Sequence, residues 1–536
     1  MNDPGRRTFI KGLGAAVALA PDVTLRPARS AYAADEAASP HLTRIRRDWL
    51  ITPDEARAWH AAKDALGGPT LAGSPSWRNF LELTERELRA SGVVDVIRNP
   101  WTYTRWTTTE WPDDSHWSLH VEGHKIRVAS YGGNSGSTPE AGLNGGLVLY
   151  QPGMPAEALR GKIAIVLKPS AQAALAAAER DPVSQAPAPA GGAVRTGDYE
   201  YLSDVETFPD PLIPRLEGSR LSPFGQMGLG EDLEPLTRAG SIGALIVLGL
   251  SYDALAGLYT FPVPALHQLP TLYLDIESGA RVVEAARAGQ RATLRLIATT
   301  EEAETYQLFA FLPGRHYGSP EDRRILLLTH TDGPSISQEN GALGIAALVR
   351  YFSRIPQAQR PRTLMVFLDC RHYMPGMERA FAAQDLAARR PDLYQQVIAA
   401  IGIEHLGQMQ PEEGPGLPYH LTDTPDLSTV WVTNNDQLIA WAVQAVKDNA
   451  LRRVQVQCPG RPGLHGGEQG PWYGLGQIAR RLGLPGVSTM GSMTAYWTTR
   501  ARLATFDAPH FVDQVATMCQ LCGELMRADV DEIRSV

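Results

Sequence analysis

The 536-residue chain has only four cysteines, at 370, 458, 519 and 522. They are too few for the disulfide framework on which many small exported folds depend. A basic stripe is also missing. Fifty Lys and Arg stand against 58 Asp and Glu, a formal net charge of −8, which argues against nucleic acid as a partner. Beyond residue 33 no apolar run reaches bilayer length, so no stable membrane span is expected once the leader is cleaved. The length suits two or three domains and a substantial core.

The first 33 residues read as a leader. Arg6-Arg7-Thr8-Phe9-Ile10-Lys11 precedes the weakly apolar, Gly/Ala-rich stretch Gly12–Ala20, and Ala31-Tyr32-Ala33 closes it as an A-x-A cleavage pattern. Those three parts in that order describe a twin-arginine export signal. The expectations are the twin-arginine translocase as a partner during export, a mature chain starting near Ala34, and work in the bacterial periplasm or outside the cell.

Past the small-residue linker Ala34–Pro40, Thr52–Gly92 has helical patterning, and Val93–Tyr131 shows short alternations that suggest antiparallel strands. Trp101, Trp106, Trp111 and Trp117 crowd that stretch; packing under strands is their commoner use, a sugar or peptide platform the other. From Leu147 to about Ile297 short strands recur at Gly161–Val166, Gly240–Leu248, Leu269–Leu274 and Ala292–Ile297, with a helix at Ile276–Ala288. Ala171–Leu236 is rich in Ala, Pro, Gly and Asp without periodicity and reads as a surface excursion.

The densest chemistry lies at 324–376. The apolar run Ile325–Leu328 ends in Thr329, His330, Thr331 and Asp332, and Leu364–Leu368 ends in Asp369, Cys370, Arg371 and His372. Gly344–Phe352 between them has helical spacing. Strand, helix, strand predicts a parallel βαβ unit, whose ligands bind at the carboxyl ends of the strands.

This arrangement resembles the zinc aminopeptidase and glutamate-carboxypeptidase family. Ile401–Gly407 (IGIEHLG) matches the strand that delivers a metal-binding carboxylate, and Gly483–Met490 (GLPGVSTM) the strand following the last helix before the final ligand. The resemblance implies an α/β fold with a mainly parallel, mixed sheet flanked by helices. It divides the chain into a leader (1–33), an opening part of the peptidase-like domain (34–146), a β-rich insert like a protease-associated domain (147–300) and the main domain (301–536). It also implies a hydrolase acting on peptide or amide bonds.

By the same resemblance His330 is the first metal ligand, Asp332 the carboxylate that orients its imidazole, and Glu404 a further ligand. Departures are as informative. The bridging aspartate falls on Asn340, with Glu339 beside it; the Glu-Glu pair falls on Arg371 and His372; the final histidine falls on Trp497. The surviving ligand set is His330, Glu339, His372 and Glu404, enough for one zinc or other divalent ion. Arginine cannot serve as a general base, so Glu339 or Glu404 is left to activate water, while Arg371 suits an anionic substrate group or an oxyanion.

Secondary candidates accompany these. Asn340, Trp497, and His465 and Glu468 in the loop Gly463–Gly470 are placed as substrate contacts; glycines there permit close backbone approach, and an ordinary turn is the alternative. His405 reads as a structural histidine, because regular alternation turns it away from Glu404. Cys370 beside His372 could be a nucleophile, with packing the default. Cys519 and Cys522 read as small core residues. Two further functions stay open: a metal-independent, carboxylate-based hydrolase of glycosides or lactones, and a non-catalytic binding protein.

Overall fold

The computed structural model describes residues 38–178, 198–203, 233–259, 265–373, 388, 390–414, 417–491 and 497–533. The leader lies outside these, as do 179–197 and 204–232 of the expected excursion.

Nine strands form the larger sheet, in the order Val94–Thr107, Thr299–Leu312, Thr363–Asp369, Arg324–His330, Val397–Ile403, Gly486–Gly491, Ser428–Val432, Val454–Gln457 and Tyr201–Leu202. Its centre, from Thr363–Asp369 to Gly486–Gly491, is parallel. The outer pairings are antiparallel except that of Ser428–Val432 with Val454–Gln457. Alternation explains how both faces are covered. Ile325 and Leu327 join Trp77, Phe80, Phe352 and Phe511 in one core, while Leu326 and Leu328 join Phe309, Met365 and Phe367 in another. A strand buried on both sides reads as an unbroken apolar run, as Ile325–Leu328 and Leu364–Leu368 do.

Helices cover the first of these faces. Pro53–Asp64 opens with a capping box, the Thr52 and Glu55 side chains each meeting the other's backbone N–H. Pro75–Ala90, Gly341–Ser353 and the twenty-residue Ala508–Arg527 pack against the same core. Gly341–Ser353 is the crossover between Arg324–His330 and Thr363–Asp369, as its spacing predicts. Among the described residues no helix is long and apolar enough to cross a membrane.

A second sheet has eight strands, in the order His124–Ile126, Trp117–Val121, Arg291–Leu296, Leu143–Leu149, Lys162–Leu167, Gly243–Val247, Thr271–Leu274 and Ser130–Tyr131. It corrects the boundary expected at Leu147. Val94–Thr107 belongs to the larger sheet, but Trp117–Val121 pairs with Arg291–Leu296 thirty residues before that boundary. In the other direction, Tyr201–Leu202 lies inside 147–300 yet forms the outermost strand of the larger sheet. Alternation marks a half-buried strand without saying which sheet it joins.

Candidate metal centre

Three polar side chains converge at the carboxyl end of the central strands. His330 is the last residue of Arg324–His330, and Glu404 and His405 follow Val397–Ile403 directly. Their ligand-type atoms all lie within 4.8 Å of one another, and among the described residues this is the one such group of three. All are buried. The His330 Nε2 to Glu404 Oε2 distance is 3.5 Å.

His405 corrects the sequence reading. The strand ends at Ile403, and His405 has φ +55°, a left-handed backbone unusual for a non-glycine residue. That twist breaks the alternation which would have turned its ring from Glu404. No sequence signal marks the twist beyond the polar pair itself at a strand end.

The surroundings fix each group. The backbone carbonyl of Asp332 lies 2.8 Å from His330 Nδ1, so the Nδ1–H tautomer donates there and leaves Nε2 toward Glu404. Asp332 therefore orients the imidazole through its main chain and not, as expected, through its carboxylate. That carboxylate instead accepts from the N–H groups of His372 (3.1 Å) and Tyr373 (2.6 Å). Burial pushes the Asp332 carboxyl well above the usual range, partly offset by those two N–H groups. Glu404 Oε1 accepts from the Leu475 N–H at 2.5 Å; burial raises its carboxyl to about 7, opposed by the Leu475 and Gly476 N–H groups. Burial, then the neighbouring His330 ring, holds His405 well below its ordinary value. A neutral imidazole is the metal-binding form.

His372 stacks on His330, ring centres 4.0 Å apart and planes at 22°, and it is half-buried. Beyond it Tyr373 meets Trp497 at 6.0 Å and Tyr259 at 5.3 Å. Trp497, placed as a substrate contact, is a buried part of this aromatic cluster with Trp472 and Met490.

The other sequence candidates are engaged elsewhere or exposed. Glu339 is paired at 2.7 Å with Lys63 from the helix Pro53–Asp64 and accepts from Thr70 Oγ1 at 2.5 Å, so its charge is already balanced. Asn340 ties Leu406 at both its N–H and its carbonyl and reaches His60. Arg371 donates from Nε to Asp369 at 3.2 Å and lies over the Trp101 ring at 4.6 Å. His465 sits on an exposed loop, tied through its backbone N–H and Nδ1 to Asp198, and Glu468 is exposed on the same loop. Cys370 is buried, and burial followed by the Asp369 charge drives its thiol well above its ordinary value, the reverse of what a nucleophile needs.

The donor set fits a single divalent ion. Two imidazoles and a carboxylate are zinc ligands that leave a position open. Glu404 Oε2 is a buried oxygen without a hydrogen-bond partner among the described residues, the kind of group a cation satisfies.

The fold is that of the zinc aminopeptidases. A peptidase M28 precursor from Shewanella amazonensis superposes with a TM-score of 0.59 at 15% identity, over 92% of this chain and 98% of its own. An aminopeptidase from Aneurinibacillus sp. strain AM-1 gives 0.53 at 13%, over 91% and 95%. A zinc aminopeptidase from Bacillus subtilis gives 0.53 at 11%, over 90% and 98%. At such identities the likeness is one of scaffold. The sequence matches no family model and none of the curated proteins.

Proposed function

We propose that this chain is an exported metal-dependent hydrolase of peptide or amide bonds, with one divalent ion, zinc by its donor set, held by His330, Glu404 and His405. The observation that carries the reading is the convergence of those three buried side chains within 4.8 Å. Bond type is inferred from the aminopeptidase scaffold. A divalent ion held there supplies Lewis-acid polarisation of a substrate carbonyl.

The chain's own groups divide the remaining work. The Asp332 carbonyl orients His330, and the Leu475 N–H anchors Glu404. Glu339, neutralised by Lys63, no longer suits the role of base. His372, stacked on His330 and half-buried, is the group we assign to take a proton from water at a ring nitrogen. Tyr259, Tyr373 and Trp497 wall the site with apolar surface that limits water. The eight-stranded sheet, from whose connections Tyr259 comes, shapes access in the manner of a protease-associated domain. Export follows from Arg6-Arg7 and Ala31-Tyr32-Ala33.

Metal analysis of the purified protein, paired with assay of aminoacyl amides with and without chelator, tests the reading. One ion per chain and chelator-sensitive hydrolysis that falls sharply in His372→Gln support it. A metal-free protein that binds no added zinc overturns it.

A further inference from the structure

The four crowded tryptophans all have structural partners. Trp101 lies under Arg371, Trp106 donates to the Ser135 carbonyl at 2.7 Å, and Trp117 donates to the Thr109 carbonyl at 3.0 Å. Trp111 is half-buried and also borders open space. With Trp117 and Tyr252 it walls a cavity of about 310 Å³, whose rim carries Asp114, Lys125 and Arg127. The site is held in shape: the Trp111 indole N–H donates to the Tyr252 hydroxyl at 3.2 Å, and the Arg500 guanidinium lies 5.5 Å from the Trp111 ring centre.

We propose that this cavity binds a sugar acid, a pyranose ring carrying a carboxylate, independently of the metal centre. The volume suits one sugar ring. Trp111 offers an apolar wall for the C–H face of a pyranose; Trp117, which also lines the cavity, is almost wholly buried in the core. Arg127 lies over the Tyr252 ring at 4.1 Å, and its Nη2 donates to Glu277 at 3.5 Å and sits 3.9 Å from Asp275. With half its side chain exposed, its planar fork can still take a carboxylate.

A second charged pair in the lining decides between a sugar and a plain aromatic acid. Asp114 and Lys125 form an ion pair at 2.8 Å, half-exposed on both sides. An apolar ring would strip water from that pair and return no hydrogen bond. Vicinal hydroxyls would instead donate to Asp114 and accept from Lys125.

The test is calorimetric or saturation-transfer titration of the whole protein with glucuronate and galacturonate, using glucose and phenylacetate as controls. We expect uronate binding on the order of 1 mM, weakened at least about tenfold by Arg127→Gln and by Trp111→Leu. Arg127 is half-exposed, so its variant keeps the fold if Trp111→Leu does not. Glucose bound as well as the uronates, phenylacetate bound more tightly, binding indifferent to Arg127→Gln, or no saturable uronate binding would each overturn the proposal.

Discussion

Lys63 and Glu339 form an ion pair of 2.7 Å whose side chains are 5% and 1% exposed. Lys63 also donates to the Ser335 carbonyl at 2.5 Å, and Thr70 donates to the same glutamate oxygen. Burial pulls the ammonium below its ordinary value and Glu339 pulls it back. A cation supplied by the chain itself thus pairs with one oxygen of a carboxylate that the family resemblance assigned to metal and catalysis.

Removing one partner should therefore be costly. Lys63→Met strands the Glu339 charge in the interior and is expected to destabilise the protein by about 3–5 kcal/mol. The double variant Lys63→Met, Glu339→Gln should recover most of that loss in urea unfolding. Glu339→Gln alone should keep its metal content. A metal-depleted Glu339→Gln would return this residue to the ligand set.

His405 gives a second prediction. Asparagine tolerates the left-handed backbone better than most residues, so His405→Asn should fold with metal-free stability within about 1 kcal/mol of the parent. Zinc affinity should fall by at least about 100-fold, the upper end of what loss of even a supporting partner costs. Unchanged zinc binding would remove His405 from the centre.

His60 links stability to acid. Its Nδ1 lies 2.8 Å from the Ala56 carbonyl, its Nε2 meets the Asn340 amide at 3.0 Å, and its ring stacks on Phe506. Burial lowers it to about 3 from an ordinary 6.5. Between those values the unfolded chain binds the extra proton, so stability is full above pH 6.5 and is lost as pH falls toward 3. Urea midpoints measured from pH 7 to 4 should decline less steeply in His60→Gln. Equal slopes would refute the assignment.

All four cysteines are buried and unpaired with one another. Burial raises the thiols of Cys370, Cys519 and Cys522, and that of Cys458 to about 11. A thiol reagent at pH 8 should count none in the native protein and four after denaturation. A denatured count of two would reveal a disulfide and refute the assignment of four free thiols.

The legible parts of this fold were its doubly covered strands. Runs such as Ile325–Leu328 and Leu364–Leu368 are apolar at every position because helices cover one face and loops and short helices the other, and His330 and Glu404 stand where such runs stop. Lys63 was not legible as a partner of Glu339. It lies near the end of a helix next to Asp64, as a solvent-facing lysine would, and its partner is far away in sequence. His405 escaped because alternation presumes a strand continuing past Ile403, and a local dihedral leaves no mark on composition. The sheet boundary escaped because strands at Val94 and Trp117 look alike until their pairing is known.

Asn340 has a consequence for the turn that carries His405. Its amide nitrogen donates to the Leu406 carbonyl and its oxygen accepts the Leu406 N–H, holding the main chain just after His405. An aspartate there could accept but not donate, and its charge would face that carbonyl. An Asn340→Asp change would thus loosen the very turn that presents His405, so a neutral amide outside the ligand set helps hold the centre together.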